Sequence, residues 1–524
     1  MATATSRPST PSASSSASAT PAPGPRVAAR DAGEWIRRAT TVPATDAYPG
    51  VDELLASFRA LAALHPDRIT ERRIGTSRLG EPLPCFTVRA PDASDGSVPQ
   101  FVVVGGVHPN EPVGAVTALH LATTLCEDDA LRAHFGGAWH IVPCVDPDGA
   151  RLNEGWFAAP TDKRLYGRHF YRPAGDEQVE WTFPFAYRDA YFDRVLPETL
   201  ALMRLLDATE PRFLTTLHNC ESGGAYYYVN RPAPELYGLL EAVPPAVGIP
   251  LATGEPESAH SPRYAPSVYG VIDMRDAYDY LDGLGIDAAA EIAGASSAAY
   301  TEPYGTFYFA PEVPHWAHPD ADDDTPVPES YADVVRERAD GLRSTGELLG
   351  RVLGTAGPEL TIATPFLRAV KNFVPSLTTL ADMESTRADG LEERSATVAE
   401  RYACRHSVHS FRIRFGGMLL RALGAEVTAG TATPTVRRCH QELERAYSGW
   451  EDEAVPAFGD PIPIAALAGI QYAALLAAAD HANRTERTGT EGSGTERTGT
   501  EGSGTERTGT ERTGTERTPA EEPQ

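Results

Sequence analysis

The sequence predicts an α/β fold in which a mostly parallel or mixed sheet carries helices on both faces, followed by an all-helical appendage. Three observations favour this architecture. Short β-branched runs alternate with helix-length amphipathic segments in the first part of the chain, which is typical of strands connected by helices. After about Pro326 only helical patterns remain. Both ends of the chain lack the apolar residues that a packed core requires.

The α/β part contains four candidate strands and two candidate helices. The run QFVVVGGV is β-branched and ends in glycines, as expected of a buried strand, and WHIVPCV stops at the turn signal DPDG. The strands are predicted at Gln100–Val107, Trp139–Val145, Phe213–Leu217 and Thr306–Phe309. The helices are predicted at Val113–Leu125 and Glu198–Ala208.

The remaining folded part is predicted to be helical throughout. The helices are expected at Tyr331–Leu353, Phe366–Met383, Leu391–Cys404, Phe411–Leu423, Val436–Trp450 and Ile464–Ala482. In the tail a GTERT/GTEGS unit recurs without a large apolar residue, which is typical of a solvated tether. The predicted organisation is a disordered N-terminal segment (1–33), an α/β domain (34–356), a helical appendage (357–482) and a disordered tail (483–524).

Charge and composition exclude several classes of function. The chain has 46 lysines and arginines against 72 aspartates and glutamates, a net charge of −26. This balance argues against binding to nucleic acid or to an anionic membrane surface, which both favour a basic face. The six cysteines show no CxxC spacing, so a disulfide scaffold is not expected. The most apolar run, Ile464–Ala479, is read as a buried helix and not a membrane span, and a cytoplasmic location is expected.

The segment GGVHPNE carries the first chemical signal. His108 and Glu111 are three residues apart, so one helical turn places an imidazole and a carboxylate on the same side. The two preceding glycines allow the backbone to bend sharply beside a ligand. The pair follows a predicted strand, and open α/β sheets bind ligands at the carboxyl ends of their strands. An imidazole with a carboxylate is a good partial ligand set for Zn²⁺.

His218 and Glu312 are the candidates that complete such a site. A catalytic zinc needs a third protein ligand, and His218 follows the strand FLTTL. Alone it would be read as a buried histidine at a strand end, but beside HPNE it is predicted to be a ligand. Glu312 follows the aromatic strand TFYF among mostly apolar neighbours, where a carboxylate is either paired or functional. We predict that it acts as a general base.

The ordered set of motifs resembles the M14 family of zinc carboxypeptidases. The resemblance rests on HPNE at 108–111, DPDG at 146–149, the arginine-bearing segment 151–168, LHN at 217–219 and FAPE at 309–312. It implies a mixed, twisted central sheet in about residues 34–353. It also implies a Zn²⁺ ion held by His108, Glu111 and His218, with Glu312 as the catalytic carboxylate.

The resemblance is incomplete where the family contacts its substrate. It implies that Arg151 helps to hold the oxyanion and that Arg168, in YGRHF, grips a substrate carboxylate, although the family's neighbouring Asn is replaced by Gly167. Arg172 competes with Arg168 for this role. The family's mobile tyrosine has two candidates, Tyr280 and Tyr300, and neither has matching sequence context.

The predicted function is zinc-dependent hydrolysis of an amide or peptide bond, most closely that of a metallocarboxypeptidase. Two alternatives remain open: an N-acyl amino acid deacylase acting through the same site, and a zinc-binding relative that has lost catalysis. The expected partner is accordingly a peptide or acyl-amino-acid substrate. The sequence does not indicate the oligomeric state.

Overall fold

A mixed β-sheet forms the centre of the protein. The computed structural model describes residues 29–90, 98–256, 261–283 and 285–485. In this part of the chain the sheet order is β1-β2-β4-β3-β7-β12-β9-β11-β10, and β8 and β15 also pair with β12. The strands are β1 (Ile69–Thr76), β2 (Pro82–Arg89), β3 (Gln100–Val104), β4 (Ala138–Val142), β5 (Phe185–Tyr187), β6 (Ala190–Phe192), β7 (Phe213–Thr216), β8 (His218–Gly223), β9 (Tyr226–Val229), β10 (Arg263–Ala265), β11 (Val268–Gly270), β12 (Phe307–Ala317), β13 (Pro326–Ser330), β14 (Ser395–Thr397) and β15 (Asp460–Pro461).

Helices connect and cover these strands. They are α1 (Ala29–Arg38), α2 (Val51–Leu64), α3 (Val113–Glu127), α4 (Asp129–Phe135), α5 (Pro147–Arg151), α6 (Glu154–Phe157), α7 (Lys163–His169), α8 (Pro197–Thr209), α9 (Pro234–Ala246), α10 (Met274–Gly283), α11 (Ala288–Glu291), α12 (Ser297–Tyr300), α13 (Tyr331–Ala356), α14 (Pro365–Asp389), α15 (Val398–Ala429), α16 (Pro434–Ala457) and α17 (Ile464–Arg484).

The sheet has an apolar core on each face. On β3, Phe101 and Val103 join a cluster with α3 and α17, whereas Val102 and Val104 join another cluster with α8. This alternation follows from the period of two in a strand. Central strands β4, β3, β7 and β12 are parallel, whereas β1 pairs antiparallel with β2, β2 with β4 and β9 with β12. The predicted mixed sheet with helices on both faces is confirmed.

β12 is the strand that organises the functional end of the sheet. Its first residues pair in parallel with β7, and its later residues pair in parallel with β8, so that Glu312 lies in register with His218. On its other edge β12 pairs antiparallel with β9, where Tyr226 is the register partner of Glu312. Leu217 separates β7 from β8. The chain therefore places a histidine, a carboxylate and a tyrosine side by side across three strands.

The C-terminal helical region is confirmed, although it is not helical throughout. The two helices predicted at Leu391–Cys404 and Phe411–Leu423 are one helix, α15, because the residues between them include neither proline nor glycine. α15 begins with a capping box formed by Thr397 and Glu400 and ends at Gly430, whose φ is +79°. The short strands β14 and β15 also lie in this region, and β15 pairs with β12.

The predicted boundary at 356–357 does not separate two compact units. The described residues fall within one unit, and helix α17 packs against β12 and α3 of the central sheet. α17 is the one described helix that is long and apolar enough to cross a membrane, and 89% of its most apolar window is buried. A core helix gives the same signal, as the sequence predicted for this segment. Buried residues of α17 thus form part of the sheet's own core.

The predicted disordered ends fall mostly outside the described residues. Residues 29–33 belong to α1, whereas 1–28 are not described. Residues 483–485 complete α17 and its C-cap, whereas 486–524 are not described. The disorder predicted for 1–28 and 486–524 stays a prediction.

Candidate metal centre

The turn after β3 positions the first two residues of the predicted site. A Cβ atom on Gly105 would lie 2.5 Å from the carbonyl oxygen of Pro143, so no other residue fits this close approach without a shift. Gly106 has a φ of +63°, a conformation that glycine adopts without strain. The chain therefore turns sharply beside the end of β4, and His108 and Glu111 lie just before the first residue of helix α3.

The structure brings His108, Glu111 and His218 together. One ligand atom from each side chain lies within 4.8 Å of the others, and all three residues are buried. His218 Nδ1 is 3.0 Å from Glu111 Oε2, and the imidazole centroids of His108 and His218 are 5.0 Å apart. His108 Nδ1 is buried and has no hydrogen-bond partner among the described residues. The sheet thus brings together Glu111 and His218, which are 107 positions apart in the sequence.

The electrostatics of the cluster suit metal binding. Burial lowers the pKa of His108 well below its ordinary value, and the nearby Arg172 guanidinium acts in the same direction. Burial opposes ionisation of Glu111, but the hydrogen bond from His218 and the charge of Arg172 help to outweigh it and lower its pKa. A neutral imidazole and an ionised carboxylate are the forms that bind a divalent cation.

Glu312 lies next to the cluster on β12. Its Oε1 is 3.8 Å from His218 Nδ1, and the residue is 8% exposed. The register with His218 explains this proximity, because paired residues of neighbouring strands present their side chains to the same face. The carboxylate is close enough to share a small molecule with the three-residue cluster.

Three polar residues, of which the sequence analysis gave only Asn219 as part of a motif, hold His218 and its strand. Thr216 Oγ1 is 2.8 Å from His218 Nε2. Gln471 of α17 donates from Nε2 to the His218 carbonyl at 2.7 Å. Asn219 accepts from the Val113 amide at 3.2 Å and donates to the Val313 carbonyl at 3.1 Å, joining α3, β8 and β12. Asn219 belongs to the LHN motif, whereas no motif marks Thr216 or Gln471, and Gln471 lies 253 residues from His218 in the sequence.

Arg172 is the arginine that reaches the cluster. Its Nη1 donates to Glu111 Oε1 at 2.9 Å, and its Nε donates to Gln178 Oε1 at 3.1 Å. The sequence named Arg172 only as a competitor of Arg168. The contact of Arg172 with Glu111, 61 positions away, could not be predicted from the sequence, because it depends on the path of the chain between α7 and β5.

The structure places Arg151 and Arg168 in other interactions. Arg151 bonds to Asp52 at 2.7 Å and to Glu81 at 3.0 Å. Arg168 bonds to Glu451 at 2.7 Å and to Glu444 at 3.0 Å, both on α16, and packs over Tyr447. Neither arginine has a contact with the cluster, so their roles stay predictions without geometric support.

The two tyrosines that the sequence analysis proposed lie on helices α10 and α12, whereas a different tyrosine lies beside Glu312 in the sheet. Tyr280 is on α10, and Tyr300 on α12 donates to Asp207 at 2.6 Å. Tyr226 on β9 is instead the register partner of Glu312. Periodicity alone could not select it from the run YYYV.

Residues 54–245 match the family model described as zinc carboxypeptidase, Peptidase_M14. The match covers less than half of the 524 residues. By this match residues 54–245 are similar to the zinc carboxypeptidases, which are metallopeptidases, a class of hydrolase. The match contains His108, Glu111 and His218, whereas Glu312 and the C-terminal helices lie beyond it.

Several solved structures are similar to the chain at low identity. Carboxypeptidase A from Helicoverpa armigera is 13% identical over 68% of this chain and 79% of its own, with a TM-score of 0.35. A metallo-carboxypeptidase from Burkholderia cenocepacia is 14% identical over 51% and 60%, with a TM-score of 0.33. Bovine thrombin-activatable fibrinolysis inhibitor, in complex with tick carboxypeptidase inhibitor, is 14% identical over 51% and 86%, with a TM-score of 0.30. No curated protein sequence matches the chain.

Proposed function

We propose that the protein is a zinc-dependent, metallocarboxypeptidase-like hydrolase that cleaves an amide or peptide bond. His108, Glu111 and His218 would hold Zn²⁺, and Glu312 would be the general base. The observation that carries the proposal is the convergence of two imidazoles and a carboxylate within 4.8 Å, with a further carboxylate oxygen 3.8 Å from one of the imidazoles.

The donor set fits zinc. Two histidine nitrogens with one glutamate oxygen are a ligand set of catalytic zinc sites, which leave a position open for substrate or water. The unpartnered, buried Nδ1 of His108 supports this assignment, because a buried polar atom without a partner is costly. A Zn²⁺ ion held there would polarise the scissile carbonyl and lower the pKa of a water molecule.

In the mechanism we propose, Glu312 moves the proton. Its carboxylate accepts a proton from the attacking water and delivers it to the nitrogen of the leaving group. Arg172, fixed by Glu111 and Gln178, presents a positive charge where negative charge develops on the carbonyl oxygen. Arg151, which the family resemblance implied for this role, would first have to leave Asp52 and Glu81.

A metal-replacement assay tests the proposed function. Chelation should abolish hydrolysis of short peptides, and one equivalent of Zn²⁺ should restore it. Assays with peptides and with N-acyl amino acids then distinguish carboxypeptidase activity from the deacylase alternative. Hydrolysis that persists after the protein is shown to be free of metal would contradict the proposal.

A further inference from the structure

We propose that Arg414, on helix α15, is a substrate-binding residue that recognises a substrate carboxylate. The inference rests on the proposed function and goes beyond it, since Arg414 lies outside the residues that match the family. It makes the C-terminal helical region a part of the substrate site. The substrate class that it defines is a short peptide or acyl amino acid with a free carboxylate.

Two arginines from different parts of the chain line one cavity beside the cluster. This arginine cavity has a volume of about 270 Å³, and its only charged lining residues among those described are Arg172 and Arg414. Gln178 and Ser376 are its other polar lining residues, and the rest are Trp181 and aromatic or leucine side chains of α14 and α15. An apolar pocket with a few convergent cations is suited to an amphipathic anion. Arg172 connects the cavity to the cluster through Glu111.

Arg414 also lines a second cavity. This tyrosine cavity, named for its residues Tyr226, Tyr269 and Tyr402, has a volume of about 160 Å³. Three of its lining residues have a buried nitrogen without a hydrogen-bond partner among the described residues: Arg338 Nε, His406 Nδ1 and Arg414 Nε. The two guanidinium nitrogens are hydrogen-bond donors, so they favour a ligand with acceptor oxygens. Arg414 and Phe411 are shared by both cavities.

Arg414 is held in place before any ligand arrives. Its guanidinium forms an ion pair with Glu221, which also accepts a hydrogen bond from Tyr166 at 2.7 Å, and it lies over the Phe170 ring. Helix α15 contacts α7 directly, since a Cβ atom on Gly417 would lie 2.3 Å from the Gly167 carbonyl oxygen. A preorganised guanidinium loses little freedom when it binds a carboxylate.

The location of Arg414 relative to the bond that is cleaved follows from its neighbours. Glu221 is three residues beyond His218 on β8, and Tyr226 is the register partner of Glu312. A substrate whose carbonyl reaches the cluster therefore extends toward α15. The arginine cavity has room for one large side chain, so we expect selection for a single terminal residue and not for a long polypeptide.

The test compares three variants with matched substrates. Arg414→Gln combined with Glu221→Gln removes both charges of the pair, so that neither is left buried alone, and Arg414→Lys keeps the charge without the planar fork. The control is Arg412→Gln, because Arg412 lies on the same helix, bonds to Glu453 at 3.1 Å and lines neither cavity. Zinc content and melting temperature are measured for each variant, and Arg414→Lys carries the test if the double variant does not fold.

The first measurement is the kcat/KM ratio for a free-acid substrate over its C-terminal amide. The double variant should lower this ratio about 10- to 100-fold, as expected for the loss of a charge-assisted hydrogen bond. Arg414→Lys should lower it less, and Arg412→Gln should leave it unchanged. An unchanged ratio in both Arg414 variants would overturn the inference, as would a loss seen only on substitution of Arg168.

The second measurement is independent of catalysis. Calorimetric titration of the metal-free protein with N-acetylphenylalanine should show binding that the Arg414 variants weaken about 10-fold or more, while N-acetylphenylalaninamide binds weakly to all forms. Equal binding of the acid by wild type and both variants would overturn the inference. If the zinc-loaded wild type hydrolyses neither substrate, the proposed function fails, whereas this titration still decides the role of Arg414.

Discussion

His218 is held from both sides of its imidazole ring. Nδ1 faces Glu111 at 3.0 Å, and Nε2 faces Thr216 Oγ1 at 2.8 Å. Thr216 Oγ1 is in turn 2.5 Å from the Tyr308 hydroxyl. A hydrogen bond on the outer nitrogen fixes the tautomer that leaves the inner nitrogen available to a metal. The two threonines of β7, Thr215 and Thr216, therefore provide a matched pair for testing this role.

We expect Thr216→Val to weaken zinc binding about 10- to 100-fold, as is typical when the partner of a ligating histidine is removed. Thr215→Val is the control, because Thr215 Oγ1 is buried without a hydrogen-bond partner among the described residues. It should leave zinc affinity unchanged. Competition with a chromogenic chelator measures both, and equal affinities in Thr216→Val and wild type would show that the contact does not orient His218.

At the scale of elements, the turn after β4 supports the metal-binding loop. Asp146 caps α5 by accepting from the Gly149 amide at 3.0 Å, and a Cβ atom on Gly149 would lie 2.7 Å from the Pro109 ring. Asp146 is fully buried, and its Oδ2 has no hydrogen-bond partner among the described residues. Burial raises the pKa of Asp146 to about 7, although Arg78 lies 3.7 Å away.

The raised pKa of Asp146 predicts that the free energy of unfolding depends on pH. Because the pKa of Asp146 is higher in the folded than in the unfolded chain, its protonated form stabilises the fold below about pH 4, and this contribution is lost as the pH rises to about 7. Asp146→Asn cannot ionise and keeps an acceptor for Gly149. Relative to wild type, its free energy of unfolding should therefore rise between pH 4 and pH 8, by at most ~4 kcal/mol.

Urea denaturation of wild type and Asp146→Asn at both pH values measures this difference. A constant difference between the two proteins would contradict the assigned pKa. Cooperative two-state unfolding is required for the comparison, and coincident fluorescence and circular dichroism transitions check it.

The elements show which features the sequence could predict. Strand β3 and helix α3 follow from local pattern, and HPNE between them follows from the chemistry of its residues. His218 and Glu312 were identifiable because each ends or lies within a run of strand-forming residues. Arg414 was not, because nothing in the helical pattern of α15 distinguishes an arginine that lines a cavity from one that does not, such as Arg412. Arg168 had the expected spacing but bonds to α16, an element whose position the sequence does not specify.

At the scale of the whole molecule, α17 links the end of the described chain to the metal centre. It lies against α3 and β12, and its buried Gln471 bonds to both Thr117 and the His218 carbonyl. The tail beyond it has no large apolar side chain to contribute to a core. Two truncations on either side of α17 should therefore differ sharply.

A chain that ends at Thr485 should melt within ~2 °C of the full-length protein, because little or no apolar surface is lost. A chain that ends at Pro463 should lose cooperative unfolding, because α17 contributes buried side chains to the sheet's own core. Differential scanning calorimetry measures both. A cooperative transition in the chain that lacks α17 would show that the helix is an addition and not part of the core.

In the function we propose, the three-residue cluster holds the metal while Glu312 transfers the proton. These two tasks can be separated in one variant, Glu312→Gln, whose amide is nearly isosteric with the carboxylate but cannot accept the proton. Zinc content and kcat/KM are measured on the same preparation. We expect one zinc per chain, as in wild type, with kcat/KM reduced about 10²- to 10⁴-fold. Near-normal turnover with zinc bound would contradict it.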